Sequence, residues 1–122
     1  MRRMIIHNSK LRSHIMSALS DVHMPCILQS TAVSARSANE IIRDHGLPHS
    51  TTYRKIHELV KFGMLVLYKL EISNGKKIGY YKSIFRSINV KYEGLAAETK
   101  VEAEPNIDAL ERISQKFFDF GY

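Results

Sequence analysis

The stretch from residue 49 to residue 57 carries polar, aromatic and basic side chains at helical spacing. Two series lie four residues apart: His49, Tyr53 and His57, and Ser50 and Arg54. A helix would place both series on one side. Arginine pairs with guanine O6 and N7, and serine or threonine hydroxyls bond to phosphates or bases. With Thr51 beside them, these side chains are candidates for contact with DNA, although a solvated helix face would show the same pattern.

Two short helices joined by a tight turn would position this row of side chains. Ser37 is a good N-cap with Glu40 at capping-box spacing, which predicts a first helix over residues 38–45. Gly46 suits a left-handed end to that helix, and a second helix is predicted over residues 49–62. Such a pair with a glycine in the turn is typical of a helix-turn-helix, whose second helix enters the DNA major groove.

A β-hairpin is predicted directly after the second helix. Residues 64–72 are rich in β formers, Asn74-Gly75 is a hairpin turn signal, and residues 76–85 return as a second strand. Lys76 and Lys77 lie at the hairpin tip, where they can reach a phosphate backbone, although a charged tip is also simply a soluble turn. This order of elements predicts a winged helix.

The 122 residues are predicted to form one domain with further elements at each end. The expected fold class is mainly α (α+β), a winged helix-turn-helix with a β-hairpin wing and additional N- and C-terminal helices. Its parts are an N-terminal segment and helix (1–20), the winged helix-turn-helix domain (21–92), an acidic linker (93–104) and a C-terminal helix (105–122).

An apolar stripe runs along the predicted C-terminal helix. Its members are Ile107, Leu110, Ile113, Phe117, Phe118 and Phe120. An exposed stripe with several aromatic rings usually marks an interface, so we expect it to form the contact of a homodimer. The alternative is that this helix folds back on its own domain.

The positive charge is concentrated in one part of the chain. Residues 1–92 contain 15 lysines and arginines against 5 acidic residues, a net charge of +10. Residues 93–122 contain 3 against 7, a net charge of −4. The basic part would attract a polyanion, and this charge gains weight because it falls on the elements that the helix-turn-helix pattern directs towards DNA.

Other functional classes lack support in the sequence. No apolar run approaches the roughly 18 residues of a membrane span, and we expect a cytoplasmic protein. The single Cys26 excludes an internal disulfide, and no two of the 6 histidines lie four residues apart on one predicted helix, so neither a metal nor a cofactor is expected. There is no glycine-rich phosphate loop and no recognisable Ser/His/Asp arrangement, so we do not expect an enzyme.

Parts of the chain resemble winged helix-turn-helix transcription regulators of the ArsR-like type, and most of all the small archaeal members. The most specific part is Leu-Pro-x-Ser-Thr-x-Tyr-Arg at 47–54, followed by Gly63-Met-Leu and the hairpin. The resemblance covers residues 21–92 and implies a usually dimeric repressor or activator that places the helix carrying Ser50 and Arg54 in the major groove. The paired cysteines of metal-sensing members are missing, so metal sensing is not implied.

These observations predict a homodimeric, sequence-specific regulator that binds double-stranded DNA. Helix 49–62 would lie in the major groove and the wing, residues 64–85, on the backbone. The predicted DNA contacts are His49, Ser50, Thr51, Tyr53, Arg54, His57, Lys76 and Lys77. The competing hypothesis is a winged-helix protein-interaction subunit of a transcription or RNA-processing complex. Neither the operator nor an effector follows from the sequence.

Overall fold

A computed structural model describes residues 3–112, in which helices and strands alternate in blocks. The elements are β1 (Met4–Ile5), α1 (Ser9–Leu19), α2 (Met24–Val33), β2 (Arg36–Ser37), α3 (Ala38–His45), α4 (His49–Lys61), β3 (Leu65–Ser73), β4 (Lys76–Ser83), β5 (Phe85–Glu93), β6 (Glu98–Pro105) and α5, described over residues 107–112. None of the helices in this range is long and apolar enough to cross a bilayer.

The strands form two separate three-stranded sheets, and both are antiparallel. One has the order β2-β4-β3 and the other the order β1-β6-β5. The chain passes from the first sheet to the second at Ile84, whose N–H donates to the Met64 carbonyl at 3.0 Å. Apolar side chains from the helices and both sheets, including Ile15, Ile41 and Val101, share one core.

The expected fold class, a mainly helical winged helix-turn-helix, is wrong. Of the described residues 44% are helical and 35% lie in strands, which makes the protein a mixed α/β chain with two sheets. The largest error is at residues 93–104, expected to be an acidic linker, because β6 begins at Glu98. Val101 and Ala103 are buried between polar neighbours, so this segment has the alternation of a half-buried strand despite its glutamates.

The two helices expected around Gly46 are observed. Ser37 Oγ accepts the N–H of Glu40 at 3.2 Å, while the Glu40 carboxylate accepts the N–H of Ser37 at 2.9 Å, which completes the capping box. Gly46 ends α3 in the left-handed region at φ +62°. At the start of α4, the Pro48 carbonyl accepts both the N–H and the hydroxyl of Thr52.

The first turns of α5 pack on the protein's own domain. Ala109 is buried and Leu110 packs against the core, whereas Ile107 is exposed. The side-chain N–H groups of buried Asn106 donate to the carbonyls of Ala32 and Ser83, each at 3.0 Å, and so tie the start of α5 to α2 and β4. The other members of the predicted dimer stripe lie outside the described residues: Ile113, Phe117, Phe118 and Phe120.

Candidate nucleic-acid interface

One side of α4 presents the predicted contact residues to solvent. Thr52, Ile56 and Leu59 are buried on the inner side of this helix, which turns the positions between them outward. Exposed or half-exposed on the outer side are His49, Ser50, Thr51, Tyr53, Arg54 and His57. Val60 is also exposed, because it lies one residue beyond Leu59 and turns away from the core.

Tyr53 makes a hydrogen bond to α3 and a ring contact within α4. Its hydroxyl donates to Asn39 Oδ1 at 3.0 Å, which joins α4 to α3. Its ring lies 5.2 Å from the ring of His49, one turn earlier on the same helix. In the hairpin, burial raises the pKa of Tyr81, and the Tyr53 phenol raises it further. The hydrogen bond to Asn39 connects α4 to α3 through Tyr53.

Asn39 is a member of this surface that the sequence analysis missed. It is exposed on the first turn of α3, and its amide oxygen accepts the Tyr53 hydroxyl. A single asparagine near a helix start is an ordinary surface residue in the sequence. Only the packing of α3 against α4 brings it within reach of Tyr53, so no local pattern could have indicated it.

Arg54 makes an ion pair on its own helix. Its guanidinium lies 3.4 Å from the carboxylate of Glu58, and both side chains are exposed. Exposed pairs one turn apart contribute only about 0.3–0.5 kcal/mol. Arg54 can therefore leave Glu58 for a stronger partner, but Glu58 reduces the positive potential of this side of α4. The spacing of four residues between them was the available sequence signal.

The hairpin tip has the conformation that its Asn-Gly turn indicates. Asn74 and Gly75 both have positive φ, 51° and 76°, as the tight turn of a two-residue hairpin requires. Lys76 and Lys77 follow at the start of β4 and are exposed. The structure thus places both predicted lysines at the end of an extended arm.

The two tip lysines point to opposite faces of the hairpin. Side chains alternate along a strand, so Lys77 shares a face of β4 with Gly79 and Tyr81. Tyr81 packs against the core that Ile56 and Leu59 of α4 help to form. Lys77 is therefore on the α4 side of the hairpin, whereas Lys76 is on the other side, with Ile78 and Tyr80.

A third hairpin lysine, Lys82, is not part of the exposed surface. Its side chain is buried, its ammonium lies 3.2 Å from the Asp108 carboxylate of α5, and it stands 5.0 Å from the Tyr68 ring centre. Lys69 is exposed, 3.0 Å from the Glu71 carboxylate. The Glu71 carboxylate raises the pKa of Lys69.

The surface supplies hydrogen-bond donors and positive charge. Arg54, Lys76 and Lys77 are cationic, and Ser50 and the histidine rings add further hydrogen-bonding groups. Among residues 3–112, no three histidine, cysteine or acidic side chains come together as a group that could hold a metal ion. The arrangement is suited to contacting a polyanion through charge and hydrogen bonds.

No protein-family model, curated protein or solved structure matches this chain. The resemblance to ArsR-like regulators therefore stays a prediction from the residues at 47–54 and 63–65.

Proposed function

We propose that this protein binds double-stranded DNA and regulates transcription in the cytoplasm as a homodimer. The observation that carries the proposal is the exposed row on α4, from His49 to His57, with Lys77 on the same side of the adjoining hairpin. The row is polar and basic where the opposite side of the helix is buried. A protruding helix of this kind fits the major groove, and the hairpin fits the flanking backbone.

Within this proposal, the side chains of α4 make different contacts with DNA. Arg54 exchanges its weak pairing with Glu58 for phosphate oxygens or for guanine O6 and N7. The Tyr53 hydroxyl already donates to Asn39, so Tyr53 contributes its ring, and its oxygen can act as an acceptor. Ser50, near the start of the helix, is placed to bond to a phosphate or a base edge.

Positive charge supports the proposal beyond single contacts. The net charge of +10 over residues 1–92 would attract a duplex, and counterion release would make binding weaken as salt rises. In a homodimer, the second α4 would reach a half-site about one helical turn, roughly 34–36 Å, away.

Fluorescence anisotropy with a labelled random-sequence duplex tests the proposal. We expect the affinity to fall steeply between about 50 and 200 mM salt. The combined variant Arg54→Ala, Lys76→Ala, Lys77→Ala should lose binding while keeping its circular dichroism spectrum. The control Lys100→Ala removes a cation from the other sheet and should bind almost as the wild type does. If the triple variant and the control lost duplex affinity equally, the DNA-binding site would lie elsewhere on the protein.

Selection of bound duplexes from a random pool then tests regulation of particular sequences. An enriched two-fold motif is expected if two copies contact two half-sites. Absence of any duplex binding would remove the proposal and leave the protein-interaction hypothesis in its place.

A further inference from the structure

We propose that the outer edge of β5 is a homodimer interface, at which β5 pairs antiparallel with β5 of a second copy of this chain. The second sheet has the order β1-β6-β5, so within residues 3–112 no strand covers that edge. β5 is nine residues long and contains no proline. A long strand of this kind is a template for pairing with another chain unless it is covered. The inference does not depend on DNA binding.

The direction of the backbone groups on β5 follows from the neighbouring strands. The Val101 carbonyl accepts the Ile6 N–H at 2.9 Å, so the backbone groups of Val101 point towards β1. Val90 lies opposite Val101 in the β5–β6 register. Its own N–H and C=O therefore point away from β6, to the open edge, and so do those of Ile88 and Tyr92 two residues to each side.

These three residues also carry the apolar side chains of the strand. Ile88 packs partly against the core, Val90 is about one-third exposed and Tyr92 is 70% exposed. They share a face with buried Ala103 and Val101 of β6. The apolar face of this sheet therefore continues from the core to the open edge and emerges into solvent there, which marks it as a contact surface.

A two-fold axis at Val90 gives the outward backbone groups of β5 hydrogen-bond partners in the second copy. In that register, Val90 pairs with its own copy and Ile88 pairs with the copy's Tyr92, so the outward backbone groups exchange about six hydrogen bonds. The apolar side chains of both copies then form one continuous face. On the polar face, Lys91 lies opposite the copy's Asn89 and Glu93 opposite its Ser87, so like charges do not oppose each other.

A groove beside the start of β5 fits the incoming tyrosine. It has a volume of about 340 Å³ and is lined by apolar side chains of α2 and β5, including Leu28, Phe85 and Ile88. Because the copy's Tyr92 lies opposite Ile88 and on the same face, its ring reaches this groove. The groove and the exposed tyrosine are complementary parts of one chain, as a two-fold interface requires.

The charge of β5, β6 and the turn between them favours a second copy of the chain over a polyanion as the partner. Residues 85–105 contain three basic residues (Arg86, Lys91 and Lys100) against four acidic ones (Glu93, Glu98, Glu102 and Glu104). A nearly neutral surface does not repel itself and gives no attraction for DNA. The DNA-binding and dimer surfaces are thus distinct in charge.

Analytical ultracentrifugation of the full chain tests the interface. We expect the wild type to sediment at twice the 14.0 kDa chain mass. Tyr92→Lys should weaken the dimer at least tenfold, because it removes the ring and places like charges at both ends of the interface. The matched control Val22→Lys changes an apolar residue that is more exposed still, on the α1–α2 turn, and should leave the dimer intact. A monomeric wild type, or a Tyr92→Lys dimer of unchanged affinity, overturns the proposal.

Cysteine cross-linking decides the register and does not depend on how Tyr92→Lys folds. In a Cys26→Ser background, Val90→Cys should form an intermolecular disulfide, because paired Cα atoms lie about 5.5 Å apart. Glu93→Cys should not, since the two copies of residue 93 would lie about 20 Å apart. Equal cross-linking by both, or by neither, contradicts the pairing. If Phe117→Asp alone gives monomers, the dimer forms through the C-terminal segment and the edge proposal fails, whatever the result for DNA.

Discussion

The carboxylate of Asp21 and the ammonium of Lys55 meet at 2.6 Å and join the α1–α2 turn to the middle of α4. The same carboxylate oxygen accepts the N–H groups of His23 and Met24 at 2.9 and 3.0 Å, at the start of α2. Only 12% of the Lys55 side chain is exposed. One acidic residue therefore accepts the first N–H groups of α2 and links that helix to α4.

We expect Asp21→Asn to destabilise the fold and to change its response to acid. Burial alone would raise the pKa of Asp21, but Lys55 and the two backbone N–H groups hold it at about 2, below its ordinary value of 3.8. A lowered pKa means that the ionised form stabilises the folded state above pH 4, and that this contribution is lost as the pH falls towards 2. With allowance for partial exposure, it amounts to about 1–2 kcal/mol.

Urea unfolding at several pH values measures this contribution. The difference in free energy of unfolding between wild type and Asp21→Asn should be largest at pH 6–7 and should shrink as the pH approaches 2. Asp44→Asn, which disturbs the more exposed pair with Arg36, should cost less than about 1 kcal/mol. A constant difference across the range would mean that the charge of Asp21 does not contribute.

Local chemistry was enough to predict the elements around α4. The Ser37–Glu40 capping box, Gly46 and the Asn74-Gly75 turn each act within a few residues, and the structure contains all of them. The second sheet was less predictable in this way, since the alternation of Val101 and Ala103 with polar residues was the only local sign of β6. β6 is a strand because β1 and β5 flank it, and two-residue β1 lies almost one hundred residues away in the chain.

The candidate site was predictable to a similar degree. The exposed row on α4 follows from helical period, because Thr52, Ile56 and Leu59 define its buried side. Asn39 beside Tyr53 depends on the packing of two helices, and the burial of Lys82 depends on Asp108 of α5. Contacts between distant segments leave no trace in periodicity or spacing.

Asn106→Ala should destabilise the fold by about 2–3 kcal/mol. The substitution leaves the carbonyls of Ala32 and Ser83 without their donor in a buried site, and each unmade hydrogen bond of this kind costs about 1–3 kcal/mol. Asn106→Asp should cost more, because a carboxylate would face two carbonyl oxygens. Thermal unfolding measures both, with exposed Gln29→Ala as the control; equal stability of Asn106→Asp and wild type would refute this role.

Glu58→Gln should strengthen binding to duplex DNA, whereas Arg54→Ala should weaken it. The first substitution removes a negative charge 3.4 Å from the Arg54 guanidinium and frees that group for phosphate or base contact. The second removes one cationic contact, worth about 1–3 kcal/mol if it is bidentate to guanine. Anisotropy titrations at one fixed salt concentration compare the two. The two substitutions should change the affinity for duplex DNA in opposite directions. Weaker binding by Glu58→Gln would show that Arg54 acts only together with Glu58.

Lys77→Ala should reduce the salt dependence of duplex binding more than Lys76→Ala does. Lys77 lies on the face of β4 that it shares with Tyr81, which packs against the core formed in part by α4, while Lys76 lies on the opposite face. Each phosphate contact contributes about 0.9 to the slope of log affinity against log salt concentration. Loss of Lys77 should therefore lower the slope by about 1, and loss of Lys76 by less. Lys100→Ala on β6 is the matched control. Equal slopes for both tip variants would contradict the assignment of the phosphate contact to Lys77.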